Sequence, residues 1–296
     1  VLVGNYILEI RGMLLVHWAI LFTTSCFANL LGLNISSAFN SAITIYILIP
    51  ILLIPQLILS GVVVKFDKLN PVIGNTETVP VVGDLMASRW AFEAAMVAQF
   101  KDNEFEKQFY GYDKTMAGSD YKKIYYIPAL ESQLAFVNSH YTSTDEEVKQ
   151  QLADNLELLR NEIKSELDMV GHENFPEVDR FYPGQYDSSL YPVATRFLST
   201  LNKYYIARYN NANQKKDAII RERTATEECE KEFEKLKGRY QNEAIAELVK
   251  NTIEQHRIVR SGNELVQKIF PIYKDPDPKN MVDFDAQFYM ARKHFF

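Results

Sequence analysis

Hydrophobic and polar positions divide this chain into two regimes. Residues 12–64 contain no Asp, Glu, Lys or Arg, and ahead of them only Glu9 and Arg11 are charged; from Lys65 onward acidic and basic residues recur every few positions. Within the charge-free stretch, residues 13–33 (MLLVHWAILFTTSCFANLLGL) and 42–64 (AITIYILIPILLIPQLILSGVVV) are separated by the short polar link NISSAFNS. Each is long enough to cross a hydrocarbon core, which takes about 20 apolar residues. A charge at mid-helix would cost about 2.5–3.5 kcal/mol on insertion, so the pattern predicts two transmembrane helices. A helical hairpin buried in a soluble core is the competing expectation. Pro50 and Pro55 each remove a backbone donor and predict a kinked second span, tolerated in lipid where neighbouring helices satisfy the freed carbonyls. Gln56, the Ser60-Gly61 pair and the small residues Ala28 and Gly32 mark sides that face protein. His17, beside Trp18 near the end of the first span, reads as an interfacial anchor.

Beyond the spans the apolar spacing turns helical. A helix over about 84–100 is expected from Asp84 as cap, from Leu85, Ala91, Phe92, Ala95, Met96 and Phe100 at helical intervals, and from Arg89 and Glu93 as an i,i+4 pair. Thr144 to Glu147 reads as a capping box opening a helix whose stripe is Val148, Leu152, Leu156, Leu159, Ile163 and Leu167, closed by Gly171. After a loop rich in Pro, Gly and Asp, a second long helix starts near Leu190 with Pro192 in its first turn and Val193, Phe197, Leu201 and Tyr205 as its stripe. Residues 214–239 are mostly charged, with Ile219, Ile220, Phe233 and Leu236 as sparse apolar members, which predicts a long solvated helix or coiled-coil arm. The helical pattern continues over 242–257, and 271–280 reads as a loop. No strand-type alternation stands out. The fold class expected is all-α: two transmembrane helices and a mainly helical second domain with long antiparallel helices.

Composition sharpens this picture without redirecting it. Charged residues make up 24% of 296 residues and the net charge is −6 without a basic stripe, so nucleic acid is not an expected partner. Cys26 and Cys229 are too few and too far apart for a disulfide scaffold or a cysteine metal site. The pattern G-x-x-x-x-G-K-[ST], a G-x-S-x-G elbow and an H-E-x-x-H helix are absent from the sequence, so no catalytic site and no metal site is expected in this chain. His172-Glu173 is a neighbour pair in a loop, and the many helical Glu and Asp residues read as solvated faces. Val1 in place of methionine, and the lack of a polar tail after Phe295-Phe296, suggest a fragment.

The stretches LLGLNISSAFNSA, IPILLIPQLILSGVVVKF and SRWAFEAAM, in this order, resemble the last part of an ABC-2 type permease of the ABCG (White/pigment) class of ABC transporters. The resemblance covers about residues 1–100. It implies that residues 1–66 are transmembrane and that 67–296 form an extracytoplasmic insertion, in a multi-pass protein of the plasma (inner) membrane. It implies that Pro55, Gln56, Leu57 and Leu59 lie near the outward gate of a translocation pathway, with lipid-facing packing the competing role for the two leucines. Arg89, Trp90 and Phe92 would belong to a membrane-proximal amphipathic helix, for which plain packing is an equally good description without the resemblance. ATP and Mg are expected at a nucleotide-binding domain outside this sequence. Partners are that domain, a second permease half, membrane lipid and an unidentified hydrophobic or amphipathic substrate. Phe284, Phe288, Tyr289, Arg292, Lys293, Phe295 and Phe296 would approach a final span beginning after the last residue. The alternative expectation is a membrane-anchored helical sensor or scaffold without transport activity.

Overall fold

The protein's structure, a computed structural model, describes residues 1–60, 83, 85–250 and 257–267, the side chains of 248–250 excepted. The charge step at Lys65, the expected span end at 61–64, the Asp84 cap, the loop at 271–280 and the aromatic approach at 284–296 lie outside the described residues.

The chain is predominantly helical, in agreement with the all-α expectation, and divides into two compact units. The first is built from Val1–Gly111 with Ala218–Ile253, the second from Tyr112–Asp217 with Glu254–Ile269. The expected division near residue 66 follows hydropathy; the packing division falls at Gly111.

In the first unit, helix α1 (Leu2–Ile7) leads through a turn at Gly12 into α2 (Leu14–Ala38). This second helix is the one described helix that is both long and apolar enough to cross a membrane. It absorbs most of the expected polar link. Nothing in NISSA breaks a helix, and the Ser37 hydroxyl donates to the Asn34 carbonyl at 3.0 Å, so the connection shrinks to Phe39–Ser41. Helix α3 (Ala42–Ile58) runs through both prolines. Its 17 residues rise about 25 Å at 1.5 Å per residue, short of a hydrocarbon core of about 30 Å. The second of the two expected spans is therefore shown here only as a shorter apolar helix.

Helix α4 (Ala87–Lys101) packs on α2 and α3 and starts at Met86, with no side-chain cap. Its Met96, Val97 and Phe100 meet Ala246 of α10 (Glu243–Lys250). The expected solvated arm is instead broken in two. Helix α8 (Leu190–Arg223) stops, and α9 (Glu227–Tyr240) restarts where the Thr226 hydroxyl accepts from the Cys229 amide at 3.3 Å. A threonine preceding Glu227, Glu228 and Glu230 supplies an N-cap and acidic first-turn residues, which stabilise a new helix start at that point. Phe233, one of the arm's sparse apolar residues, then packs against Phe105 and Phe109, with ring centroids 5.4 and 6.2 Å away.

The second unit holds the larger core. Helix α5 (Tyr110–Tyr121) passes through a π-helical segment, Lys122–Tyr126, into α6 (Ile127–His140). Helix α7 (Glu146–Val170) packs on α6 and buries Leu156, Leu159, Ile163 and Leu167, as its periodicity predicts. Its cap is Asp145, one residue beyond the expected Thr144, with the carboxylate accepting from the Glu147 amide at 3.0 Å. At the other end Gly171 takes φ 99°, a conformation an L side chain adopts only with strain. Leu190, Ala194, Phe197, Leu198, Leu201 and Tyr205 of α8 complete the core.

A two-stranded antiparallel hairpin, β1 (Ile258–Ser261) and β2 (Glu264–Gln267), corrects the expectation of no strand. Its sequence sign is the Gly262-Asn263 pair between two runs of four residues, IVRS and ELVQ, that do not alternate, with Gly262 at φ 57° in the turn.

Candidate functional site

The apolar helices carry the residues expected to form a pathway. On α3, Ile45, Leu48, Leu52 and Gln56 recur at steps of three and four and are half-buried, while Ile43, Ile47, Ile51, Ile54 and Leu57 stand open. Gln56 thus lies on the protein-facing stripe, Pro55 and Leu57 on the open side, and Leu59 and Ser60 are buried at the helix end. The Gln56 carbonyl accepts from the Ser88 hydroxyl of α4 at 2.9 Å, which ties the end of α3 to the segment that follows it. Pro50 and Pro55 leave the carbonyls of Tyr46 and Ile51 without their intrahelical donors.

Helix α2 repeats the arrangement. His17, Ile20, Thr24, Leu31 and Ile35 are half-buried along one stripe, and most of the remaining surface is open, with Leu15 77% and Leu33 67% exposed. Thr23 and Thr24 donate back to the Ala19 and Ile20 carbonyls at 2.9 and 2.7 Å, so their hydroxyls are satisfied without water. Trp18 stacks on Phe22 with centroids 5.1 Å apart, and His17 Nδ1 lies 3.2 Å from the Asn5 side-chain oxygen. Ala28 and Gly32 are both exposed, and nothing lies within 4 Å of where a Gly32 Cβ would sit.

On α4 the three residues expected at the membrane interface separate. Arg89 is 4% exposed and reaches Glu93 at 3.3 Å, as the i,i+4 spacing predicts; Trp90 is 38% exposed under the Arg89 guanidinium, 4.3 Å from its ring centre; Phe92 is half-buried against the Met96 cluster.

In the second unit the structure brings together ionisable groups that sequence reading assigned to solvated faces. Glu162 and Glu166, one turn apart on α7, are both buried, and Glu166 is 0% exposed. Lys122 Nζ reaches Glu166 Oε1 at 2.5 Å, and the Tyr205 hydroxyl donates to its other oxygen at 2.6 Å. Glu162 accepts from the Tyr126 hydroxyl at 2.8 Å and from the Leu265 amide of the hairpin at 2.5 Å. Lys122 and Tyr126 belong to the π-helical segment, which shifts the side-chain register of a helix by inserting one residue per turn. The clue in the sequence was that 155, 159, 162 and 166 follow the same steps of three and four as the leucine stripe.

Burial pushes the Glu162 carboxyl above its ordinary range, while the Leu265 amide, the Tyr126 hydroxyl and Lys122 oppose the shift. Burial, with Glu162 and Glu166 adding to it, holds the Tyr121 and Tyr126 phenols well above theirs; burial and then Glu166 do the same to Tyr205. Tyr126 and Tyr205 therefore stay protonated and donate to Glu162 and Glu166, a network that fixes α7 to the π segment, to α8 and, through the Leu265 amide, to the hairpin; the buried Tyr121 hydroxyl makes no hydrogen bond among the described residues.

Because the folded Glu162 binds its proton more tightly than the unfolded one, its contribution to stability is fully present below the ordinary value of about 4.5 and is lost as pH rises through the raised folded value. Glu162→Gln is expected to flatten that slope. Its amide oxygen serves the Leu265 amide, its NH2 donates to the Tyr126 oxygen, and the Tyr126 hydroxyl turns to the Glu162 main-chain carbonyl, 3.2 Å away. Urea unfolding of the detergent-solubilised chain across pH 4.5 and above checks this; an unchanged slope in the variant would contradict it.

Among the described residues no three His, Cys, Asp or Glu side chains lie close enough to hold a metal ion, and His172 bonds Asp168 at 2.9 Å. No protein family, curated protein or solved structure matches this chain.

Proposed function

We propose that this chain is the permease portion of an ATP-driven exporter of the ABCG kind. In this reading α2 and α3 cross the membrane, residues 67–296 form an extracytoplasmic domain, and the last turns of α3, with Pro55, Gln56, Leu57 and Leu59, contribute to the translocation pathway. The observation that carries the membrane part is that α2 and α3, without one charged residue, expose large aliphatic and aromatic side chains around most of their circumference. An apolar surface of that kind is covered by lipid or by other apolar helices. Crossing by α3 also draws on the apolar residues up to Val64 in the sequence.

The exporter part rests on the ordered resemblance of the three sequence stretches. The contacts of α4 with both apolar helices, and the Ser88–Gln56 bond, support a part for the first residues of SRWAFEAAM in this reading. The partners are a nucleotide-binding domain that holds ATP and Mg, a second permease half, and a hydrophobic or amphipathic substrate.

Proteoliposomes carrying the full-length gene product test this. Hydrolysis of ATP that is stimulated by apolar compounds, and uncoupled by Leu57→Glu, is the expected result. A protein that inserts in the bilayer yet hydrolyses no ATP would sink the exporter and leave the sensor or scaffold.

A further inference from the structure

A cavity of about 580 Å³ opens beside the start of α2, within the first unit. Its walls carry three cations, Arg11, Lys237 and Arg239, and three carboxylates, Glu9, Glu234 and Glu243. None of these six enters an ion pair with another described residue. Opposite charges that share a cavity without pairing are positioned for the two ends of a ligand that carries both signs.

Two backbone features build the wall. Glu9 adopts φ 53° as the left-handed residue that closes α1, its amide donating to the Tyr6 carbonyl at 3.3 Å and the Ile10 amide to the Asn5 carbonyl at 2.9 Å, which turns the chain into the cavity wall. Gly12 adopts φ 78°, and a Cβ there would lie 3.5 Å from the Tyr240 ring, so the turn sits directly on the α9 end. The Gln241 side-chain oxygen, also in the wall, is buried without a donor.

Position adds the third element. Met13, 3% exposed, lines the cavity, and the next residue begins the apolar helix α2. A helix that enters the bilayer at Leu14 places its preceding turn among the headgroups, where phosphates and ammonium groups are concentrated.

We propose that this cavity binds a zwitterionic phospholipid headgroup that carries a phosphate diester and a primary ammonium. The phosphate lies against Arg11, Lys237 and Arg239, and the ammonium donates to the carboxylates and to the Gln241 oxygen. The inference rests on α2 lying in the membrane. Its recognition chemistry is shared with a soluble phosphoethanolamine ester, and the two sources are separable.

The test is native mass spectrometry of the chain released from vesicles of equal parts phosphatidylethanolamine, phosphatidylcholine and phosphatidylglycerol. Phosphatidylethanolamine is expected to be retained about tenfold over phosphatidylglycerol, which lacks the ammonium, and over phosphatidylcholine, whose methylated ammonium has no N–H to donate. Two variants, Arg11→Ala/Lys237→Ala/Arg239→Ala and Glu9→Gln/Glu234→Gln/Glu243→Gln, are each expected to abolish the preference. All six side chains are exposed, so the fold tolerates both sets. Equal retention of the three lipids, or a preference unchanged in both variants, overturns the headgroup site while leaving the membrane reading intact. Failure of the chain to enter the vesicles overturns both. Binding of glycerophosphoethanolamine to the solubilised chain as tightly as the lipid would move the site to the soluble ester and overturn the lipid assignment.

Discussion

Lys122→Met is expected to destabilise the second unit by about 3–5 kcal/mol, the cost of leaving a buried carboxylate without its cation. Glu166 has no exposure of its own, and the cation that neutralises it comes from a side chain that is 23% exposed and also lies 3.5 Å over the Tyr126 ring. Methionine keeps most of the stem packing and removes the charge. Adding Glu166→Gln to the variant is expected to recover at least half of the loss, because the remaining amide still accepts from Tyr205 and no unpaired charge remains. Urea unfolding of the solubilised chain, followed by helical circular dichroism, measures both. A loss below about 1 kcal/mol, the range of exposed ion pairs, would mean that water reaches Glu166.

The other large effect concerns α2. Phe27, near its middle and 45% exposed, is a position where arginine should be almost neutral if water surrounds the helix, within about 0.5 kcal/mol. In lipid the same Phe27→Arg change costs about 2.5–3.5 kcal/mol, which lowers the insertion equilibrium about 70- to 350-fold. The membrane-integrated fraction after alkaline extraction is therefore expected to collapse, while Lys235→Glu on the exposed face of α9 leaves it unchanged. A Phe27→Arg chain that remains fully integrated would place α2 elsewhere.

The legible parts of this fold were those with long, uninterrupted periodicity. The stripe from Leu156 to Leu167 identified α7 and its buried face, and Pro192 in a first turn marked the start of α8. The Arg89–Glu93 spacing yielded the pair that is present, although not its burial. What escaped were features set by single residues or by distant partners. Thr226 starts a new helix inside a pattern that charge periodicity carries straight through, because its hydroxyl satisfies the Cys229 amide, a single-residue signal that periodicity does not register. Glu162 and Glu166 resemble any other helical carboxylates until Lys122, Tyr126 and Tyr205 arrive from other elements. The hairpin is brief, and its strands are held by Glu162 and by Asn155, which accepts from Arg260, more than by any alternation of their own.

For the residues proposed to line a pathway, only their burial can be compared with the sequence. Gln56 in an apolar run pointed to a protein-facing side, and the half-buried stripe through Ile45, Leu48 and Leu52 includes it. Leu59, next to the helix end, is buried where the sequence gives no reason to separate it from Leu57. That difference depends on where α3 stops and on the approach of Ser88, and neither is written in local hydropathy.

The two cysteines allow the central claim, that α2 lies in lipid, to be tested without altering the chain. Both thiols are exposed, Cys26 midway along α2 and Cys229 in the first turn of α9. A membrane-impermeant maleimide applied to sealed right-side-out membranes should label Cys229 rapidly and leave Cys26 unmodified until detergent dissolves the bilayer. Labelling of Cys26 at the rate of Cys229 in intact membranes would contradict the account.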